Sequence, residues 1–227
     1  MIFGNGFLAK NLHYYGINSL PLVVQACGVS NSQCDSIQEF EREKNLITKN
    51  IKLSKKLNHP IIYFSSIVAD IKSPYIEHKK GCEKMIKESG VQHCIIRCPQ
   101  LIGYYLNNHQ LVGHLYQQIL KGQEFKVFTN SERNILDVEC VANFIKLWCD
   151  NPKYSQINIC YDLNIPVIEI VSLIERQINI KAKYIQVRSS LSNYDTSQQV
   201  SWKELEAFGV IKQVPYAELF AKYFYTK

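Results

Sequence analysis

No apolar run in the 227 residues reaches the roughly 18 that a membrane-spanning helix requires. The chain opens on a glycine-containing stretch, not on the basic and apolar regions of a secretory leader. A soluble, cytoplasmic protein with no membrane partner is expected. The eight cysteines, at 27, 34, 82, 94, 98, 140, 149 and 160, include no Cys-x-x-Cys pair. Without an extracellular context they read as reduced, mostly buried thiols. The six histidines are scattered, and the interval from His109 to His114 is wrong for two ligands on one helical face. No metal site is expected. Clustered arginines and lysines interleaved with aromatics are also missing. The net charge of +6 comes from lysines spaced among glutamates, as in "EFEREKNLITKNIKLSKK", the pattern of a solvated helix face. That argues against nucleic acid and leaves an anionic small molecule compatible.

What is present is enough for one core. With 46% hydrophobic residues and neither a repeat nor a low-complexity linker, residues 1–227 read as a single unit. Short apolar runs alternate with longer amphipathic ones. "MIF", "LVVQAC", "PIIYFSS", "HCIIRCP" and "QINICYD" have the brevity and Val/Ile/Phe content of buried strands. Helical patterns lie between and after them at about 7–15, 36–57, 74–89, 108–121, 138–149, 166–178 and 200–225. This alternation predicts an α/β fold, a parallel sheet covered on both faces. The irregular, polar segment 122–137 and the segment 165–227, including the stretch 179–199, are where a small substrate-covering lobe would be built.

Four patterns fall in order along the chain. "MIFGNGFLAKNL" takes a strand directly into Gly4-x-Gly6-x-x-Ala9 and a helix, the context in which a glycine turn brings a pyrophosphate onto a helix N-terminus. "LVVQACGVSNS" ends a strand in the small residues Ala26, Cys27 and Gly28. "YFSS" leaves Ser65 and Ser66 at the carboxyl end of a third strand. In "SPYIEHKK", Ser73 can cap a helix and Pro74 suits its first turn, so Tyr75 and Lys79 fall at i and i+4 on one face. Taken singly, each has a plain structural explanation: a glycine turn needs no ligand, serines after a strand form turns, and Tyr-x-x-x-Lys can be a solvated helix surface.

Taken together, the patterns resemble the extended short-chain dehydrogenase/reductase family, in particular its bacterial NAD-dependent nucleotide-sugar epimerases and reductases. "IIRCPQLIG" is similar to that family's Arg-x-Pro-Asn-x-x-Gly segment, with Gln100 where Asn is usual, and "ERNILDVECVANFI" to its Arg-containing motif leading into the substrate lobe. The resemblance implies a Rossmann-like doubly wound sheet, NAD or NADP as cofactor and a nucleotide-activated sugar as substrate. It assigns Ser66, Tyr75 and Lys79 to catalysis, with Ser65 as second choice for the serine. Tyr75 would exchange a proton with a sugar oxygen, Lys79 would favour its phenolate and contact the nicotinamide ribose, and Ser66 would polarise that oxygen. Cofactor contacts are implied for Gly4, Gly6, Phe7, Leu8, Ala9, Ala26, Gly28, Ser65, Tyr75, Lys79 and Pro99. Substrate contacts are implied for Arg97, Gln100, Asn107, Asn108 and Arg133. Arg97 could equally be structural, Arg133 could pair with Glu132 or Asp137, and Asn107 and Asn108 could be turn residues.

The pattern breaks at one place. Only "HYYGINSLP" separates the first helix from the "LVVQAC" strand, which leaves no room for the family's second and third strands or for the acidic residue that grips the adenosine ribose. A truncated sheet of about five strands follows, with the adenosine side open and the dinucleotide weakly bound. A partner subunit of a homodimer or the 179–199 segment could cover that side. Reduction of a keto sugar is favoured slightly over epimerisation, in polysaccharide or glycan precursor synthesis. The rival is a non-catalytic relative that binds a nucleotide or sugar as a regulator or scaffold.

Overall fold

The computed structural model describes residues 1–67, 73–188 and 202–224. Buried Val- and Ile-rich runs form five strands in one parallel sheet: β1 (Ile2–Phe3), β2 (Val23–Gln25), β3 (Ile61–Ser66), β4 (His93–Cys98) and β9 (Gln156–Asn158). They lie side by side in chain order, β1-β2-β3-β4-β9. In the dinucleotide-binding arrangement the order runs 3-2-1-4-5-6, two strands lying beyond the first. Here β1 is the sheet edge among the described residues. The chain leaves α1 (Phe7–Tyr14), makes one 3₁₀ turn at Ile17–Ser19 and enters β2, which pairs directly with β1.

The expected double cover is present. Alternate strand residues face opposite ways. Tyr63 of β3 and Ile95 of β4 pack with Ile47, Cys82 and Ile86 on the side of α2 (Ile37–Leu57) and α3 (Pro74–Glu88). Ile62 and Ile96 belong to the larger core with Leu12 of α1 and with Phe144, Ile145 and Trp148 of α5 (Val138–Asp150). Local signals set the helix starts. The Ser36 hydroxyl caps α2 by accepting from the Glu39 N–H at 3.3 Å. Ser73 accepts from the Ile76 N–H at 3.2 Å with Pro74 as the first helical residue, and Asp137 accepts from the Glu139 N–H at 2.8 Å. Asn58 ends α2 in the left-handed region, at φ 53°.

The segment read as irregular, 122–137, instead contains three short strands. β6 (Glu124–Phe128) pairs in parallel with β11 (Lys183–Val187), β7 (Glu132–Arg133) runs antiparallel to β10 (Ile165–Pro166), and β8 (Ile135–Asp137) pairs in parallel with β5 (Gln100–Ile102). Strands of two to five residues carry too little periodicity to stand out in a sequence. α4 (Leu111–Leu120) and α6 (Val167–Ile178) match their patterns within a few residues, and the C-terminal helical region divides into α7 (Trp202–Phe208) and α8 (Tyr216–Phe224). Part of the 179–199 stretch named as one cover for the open side, residues 189–199, lies outside the described residues. No helix among the described residues is long and apolar enough to cross a membrane.

Candidate functional site

The carboxyl ends of the sheet strands open onto a cavity of about 830 Å³, the position where ligands bind in open α/β sheets. At its floor, the β1–α1 turn lies against β2. Gly4 has φ +136°, and a β-carbon there would sit 2.4 Å from the Ala26 carbonyl oxygen, so only glycine lets the two segments approach this closely. Gly6 caps α1 and lines the cavity with Phe7 and Leu8, and a β-carbon on it would meet nothing within 4 Å. The free N–H groups of the first turn thus belong to an open wall, which suits a pyrophosphate. Ala26 and Gly28 line the same space from the loop after β2. Gly4 and Ala9 do not: Gly4 makes the close approach, and Ala9 is buried. The cavity residues therefore fit the pyrophosphate part of a dinucleotide, while the described residues offer no strand beyond β1 from which an acidic side chain could hold its adenosine ribose.

Ser65, Ser66, Tyr75 and Lys79 all line this cavity. Ser65 is opposite Arg97 in the β3–β4 register, and Ser66 is opposite Cys98; successive residues alternate faces, so the two hydroxyls leave the sheet on opposite sides. Tyr75 is in the first turn of α3 with its ring packed against Val29 and Ile76, and the Lys79 Nζ lies 5.8 Å from the ring centre.

Lys79 has a partner that the sequence did not reveal. Its Nζ donates to Glu43 Oε1 at 2.8 Å and to the Tyr63 hydroxyl at 3.3 Å. Glu43, on α2, is fully buried and accepts also from Tyr63 Oη at 2.8 Å, the Val29 N–H at 2.7 Å and His78 Nε2 at 2.9 Å. Burial pushes the Glu43 carboxyl upward, but the His78 hydrogen bond, the charge and hydrogen bond of Lys79 and the Val29 N–H outweigh it, lowering the pKa to about 2. Burial likewise opposes the Lys79 ammonium, and the Glu43 charge overcomes it, so the lysine pKa lies above its usual value. The charged run in 39–56, expected to be a solvated face, is therefore partly internal: Glu43, Ile47, Asn50 and Ser54 form a buried stripe at helical spacing. That stripe was legible, but three of its four members are polar.

A consequence for stability follows. Glu43 has a folded pKa depressed from 4.5 to about 2, so its contribution is complete above pH 4.5 and is lost as the pH falls towards 2. Thermal unfolding midpoints should drop across that window, and the part of the drop due to Glu43 should disappear in Glu43→Gln. An unchanged acid profile in that variant would contradict the ionised, four-donor state.

Pro99, implied for the cofactor, and Gln100, Asn107 and Arg133, implied for the substrate, also line the cavity. Arg133 donates to the Glu132 carbonyl oxygen at 2.7 Å, while Asp137 is engaged by Tyr223 and Lys222. The Asn107 Oδ1 accepts from the His109 N–H at 2.9 Å. The loop after β5 is tied to α1 by Asn11, whose Oδ1 accepts from the Tyr104 N–H at 3.0 Å. Two expected substrate residues lie outside the lining. Asn108 is exposed on the adjoining loop. Arg97 is turned to the α3 side of the sheet, where its Nε and Nη2 reach the two Glu83 oxygens at 2.8 and 2.5 Å in a half-buried fork. Its carboxylate partner on α3 accounts for its place at the end of a buried strand, in line with the structural alternative for this residue.

Cys27 and Cys98 also line the cavity, and burial raises the pKa of both thiols. All eight thiols are free, and Cys82, Cys94, Cys98, Cys140 and Cys160 are buried. Burial pushes Cys82 up to about 11 and Cys140 to about 12, leaving both neutral at ordinary pH.

No protein-family model matches the chain, and no curated protein matches it in sequence. Solved structures do. UDP-glucose 4-epimerase from Thermotoga maritima, crystallised with UDP-glucose, superposes with a TM-score of 0.72 at 15% identity, over 96% of this chain and 81% of that one. UDP-glucose 4-epimerase from Thermus thermophilus, in complex with NAD, gives a TM-score of 0.75 at 14% identity over 96% and 81%. dTDP-glucose 4,6-dehydratase from Bacillus anthracis, in complex with NAD, gives 0.71 at 14% identity over 98% and 94%. The chain has the Rossmann-like fold of these proteins, built on a five-stranded parallel sheet.

Proposed function

We propose that the protein is an NAD(P)-dependent enzyme that reduces or epimerises a nucleotide-activated sugar, in the formation of polysaccharide or glycan precursors. The observation that carries this reading is the convergence on one cavity of the α1 N-terminus, the Ser66–Tyr75–Lys79 set and Arg133. The likeness to structures crystallised with NAD and with UDP-glucose supports it.

NAD(P), when bound, supplies or accepts the hydride. The chain's own residues do the rest. N–H groups at the start of α1, with Gly6 leaving room above them, hold the pyrophosphate. Tyr75 gives a proton to, or takes one from, the reacting sugar oxygen, and Ser66 orients that oxygen by a hydrogen bond. The Lys79 cation favours the phenolate of Tyr75. Arg133 binds the substrate diphosphate, for which a permanently charged guanidinium fork is well matched. Gln100 and Asn107 face the sugar. Reduction is favoured over epimerisation, because an epimerase keeps its dinucleotide through two half-reactions and, among the described residues, this sheet has no strands to grip the adenosine.

The experiment is to incubate purified protein with NADH or NADPH and a panel of nucleoside-diphosphate 4-keto sugars, following nicotinamide absorbance and the sugar products. Oxidation of the dinucleotide matched by a hydroxy-sugar product is expected. Failure of every sugar and both dinucleotides would contradict the reading.

A further inference from the structure

We infer that Glu43 is a positioning residue of the site: it holds the Lys79 ammonium in the cavity wall at the place where a dinucleotide ribose would meet it. The inference rests on the dinucleotide reading proposed above. Glu43 reaches the site from α2, far from Lys79 in sequence, and its two oxygens are saturated by four donors: Lys79 and Tyr63 on one, Val29 and His78 on the other. A carboxylate fixed by two side chains, a main-chain N–H and the lysine itself has one position, and so does the ammonium bound to it. Two of the three Lys79 N–H donors are used within the described residues, on Glu43 and Tyr63, which leaves one for a group in the cavity that Lys79 lines.

The surroundings are built around this contact. A β-carbon on Gly28 would come within 2.5 Å of Glu43 Oε1 and 2.9 Å of Lys79 Nζ, so the loop after β2 passes directly over the pair, and a larger residue there would have to displace it. His78 is stacked on Phe40, ring centres 4.4 Å apart, which fixes the imidazole that bonds the carboxylate. The donor atoms of Glu43, His78 and Cys82 lie within 4.8 Å of one another, close enough for a metal ion. The ammonium on the same carboxylate would repel such a cation, so the cluster serves as an anchor for Lys79.

A residue that works through Lys79 should have no effect once Lys79 is gone, whereas a residue that merely supports the fold should matter equally in both backgrounds. The test is a double-mutant cycle on NADPH affinity, read by fluorescence titration of wild type, Glu43→Gln, Lys79→Met and the double variant, with circular dichroism confirming the fold of each. Glu43→Gln should weaken NADPH about tenfold alone and less than about twofold in the Lys79→Met background. Equal weakening in both backgrounds, or none in either, would overturn the inference while leaving dinucleotide binding intact. A wild-type protein that binds no NADPH would instead overturn the dinucleotide reading and this inference with it. If Glu43→Gln does not fold, Glu43→Asp makes the same comparison, since it keeps the charge and withdraws it from Lys79 by one methylene.

Discussion

Tyr75→Phe is expected to fold normally and to lose at least about 100-fold in turnover, or about 2.7 kcal/mol of transition-state stabilisation. The fold should survive because the ring, buried against Val29 and Ile76, is retained and only the hydroxyl is removed. Turnover should fall because, among the described residues, no other side chain in the site stands one helical turn from Lys79 with a proton to exchange. The histidine beside Lys79 is committed to Glu43, and the buried cysteines are held neutral. Steady-state kinetics with the sugar that supports wild-type turnover decides the point. Near wild-type kcat in a folded Tyr75→Phe protein would mean that the proton travels elsewhere.

Arg133→Ala should weaken a nucleoside diphosphate or its sugar ester by about 1.5–3 kcal/mol, the range for hydrogen bonds to charged groups, which is about tenfold to 150-fold in Kd. Dinucleotide affinity should stay nearly constant, because the pyrophosphate subsite is assigned to the start of α1. Isothermal titration with UDP and with NADH separates the two effects. Arg133 sits in β7, a strand of two residues paired with β10, and its main-chain pairing survives truncation of the side chain. Equal losses for both ligands would show that its role is to hold the cavity wall together.

The parts that sequence reading recovered are those governed by local rules. Strand-to-helix alternation, the Ser73–Pro74 helix start and the i, i+4 placement of Tyr75 and Lys79 depend on neighbours in the chain, and the structure has them where periodicity and capping put them. The missing pair of strands was readable too, since nine residues cannot hold two strands and a helix, and β1 indeed pairs directly with β2. What escaped depends on contacts distant in sequence. Glu43 looked like one more charge on a lysine-rich helix, and only the fold brings it against a lysine 36 positions away. Arg97 carries a substrate reading from its motif, and only the fold brings Glu83, on the preceding helix, against its Nε and Nη2. The two-residue strands β7 and β10 pair residues about thirty positions apart and leave no mark on local pattern.

The central claim is that this shortened sheet still holds a dinucleotide at its pyrophosphate and nicotinamide parts, without the strand that grips the adenosine. Calorimetric titration of the purified protein with NAD(H) and NADP(H), alone and with a nucleotide sugar present, tests it most directly. Loss of one or two charge-assisted hydrogen bonds, each about 1.5–3 kcal/mol, should leave binding roughly tenfold to several hundredfold weaker than with a complete adenosine subsite. Discrimination between NAD and NADP should be poor, because it resides at the ribose 2′ position. Weak binding of both forms at one site per chain is the predicted result; no binding of either form, even with the nucleotide sugar present, would contradict the claim and favour a non-catalytic protein of the same fold.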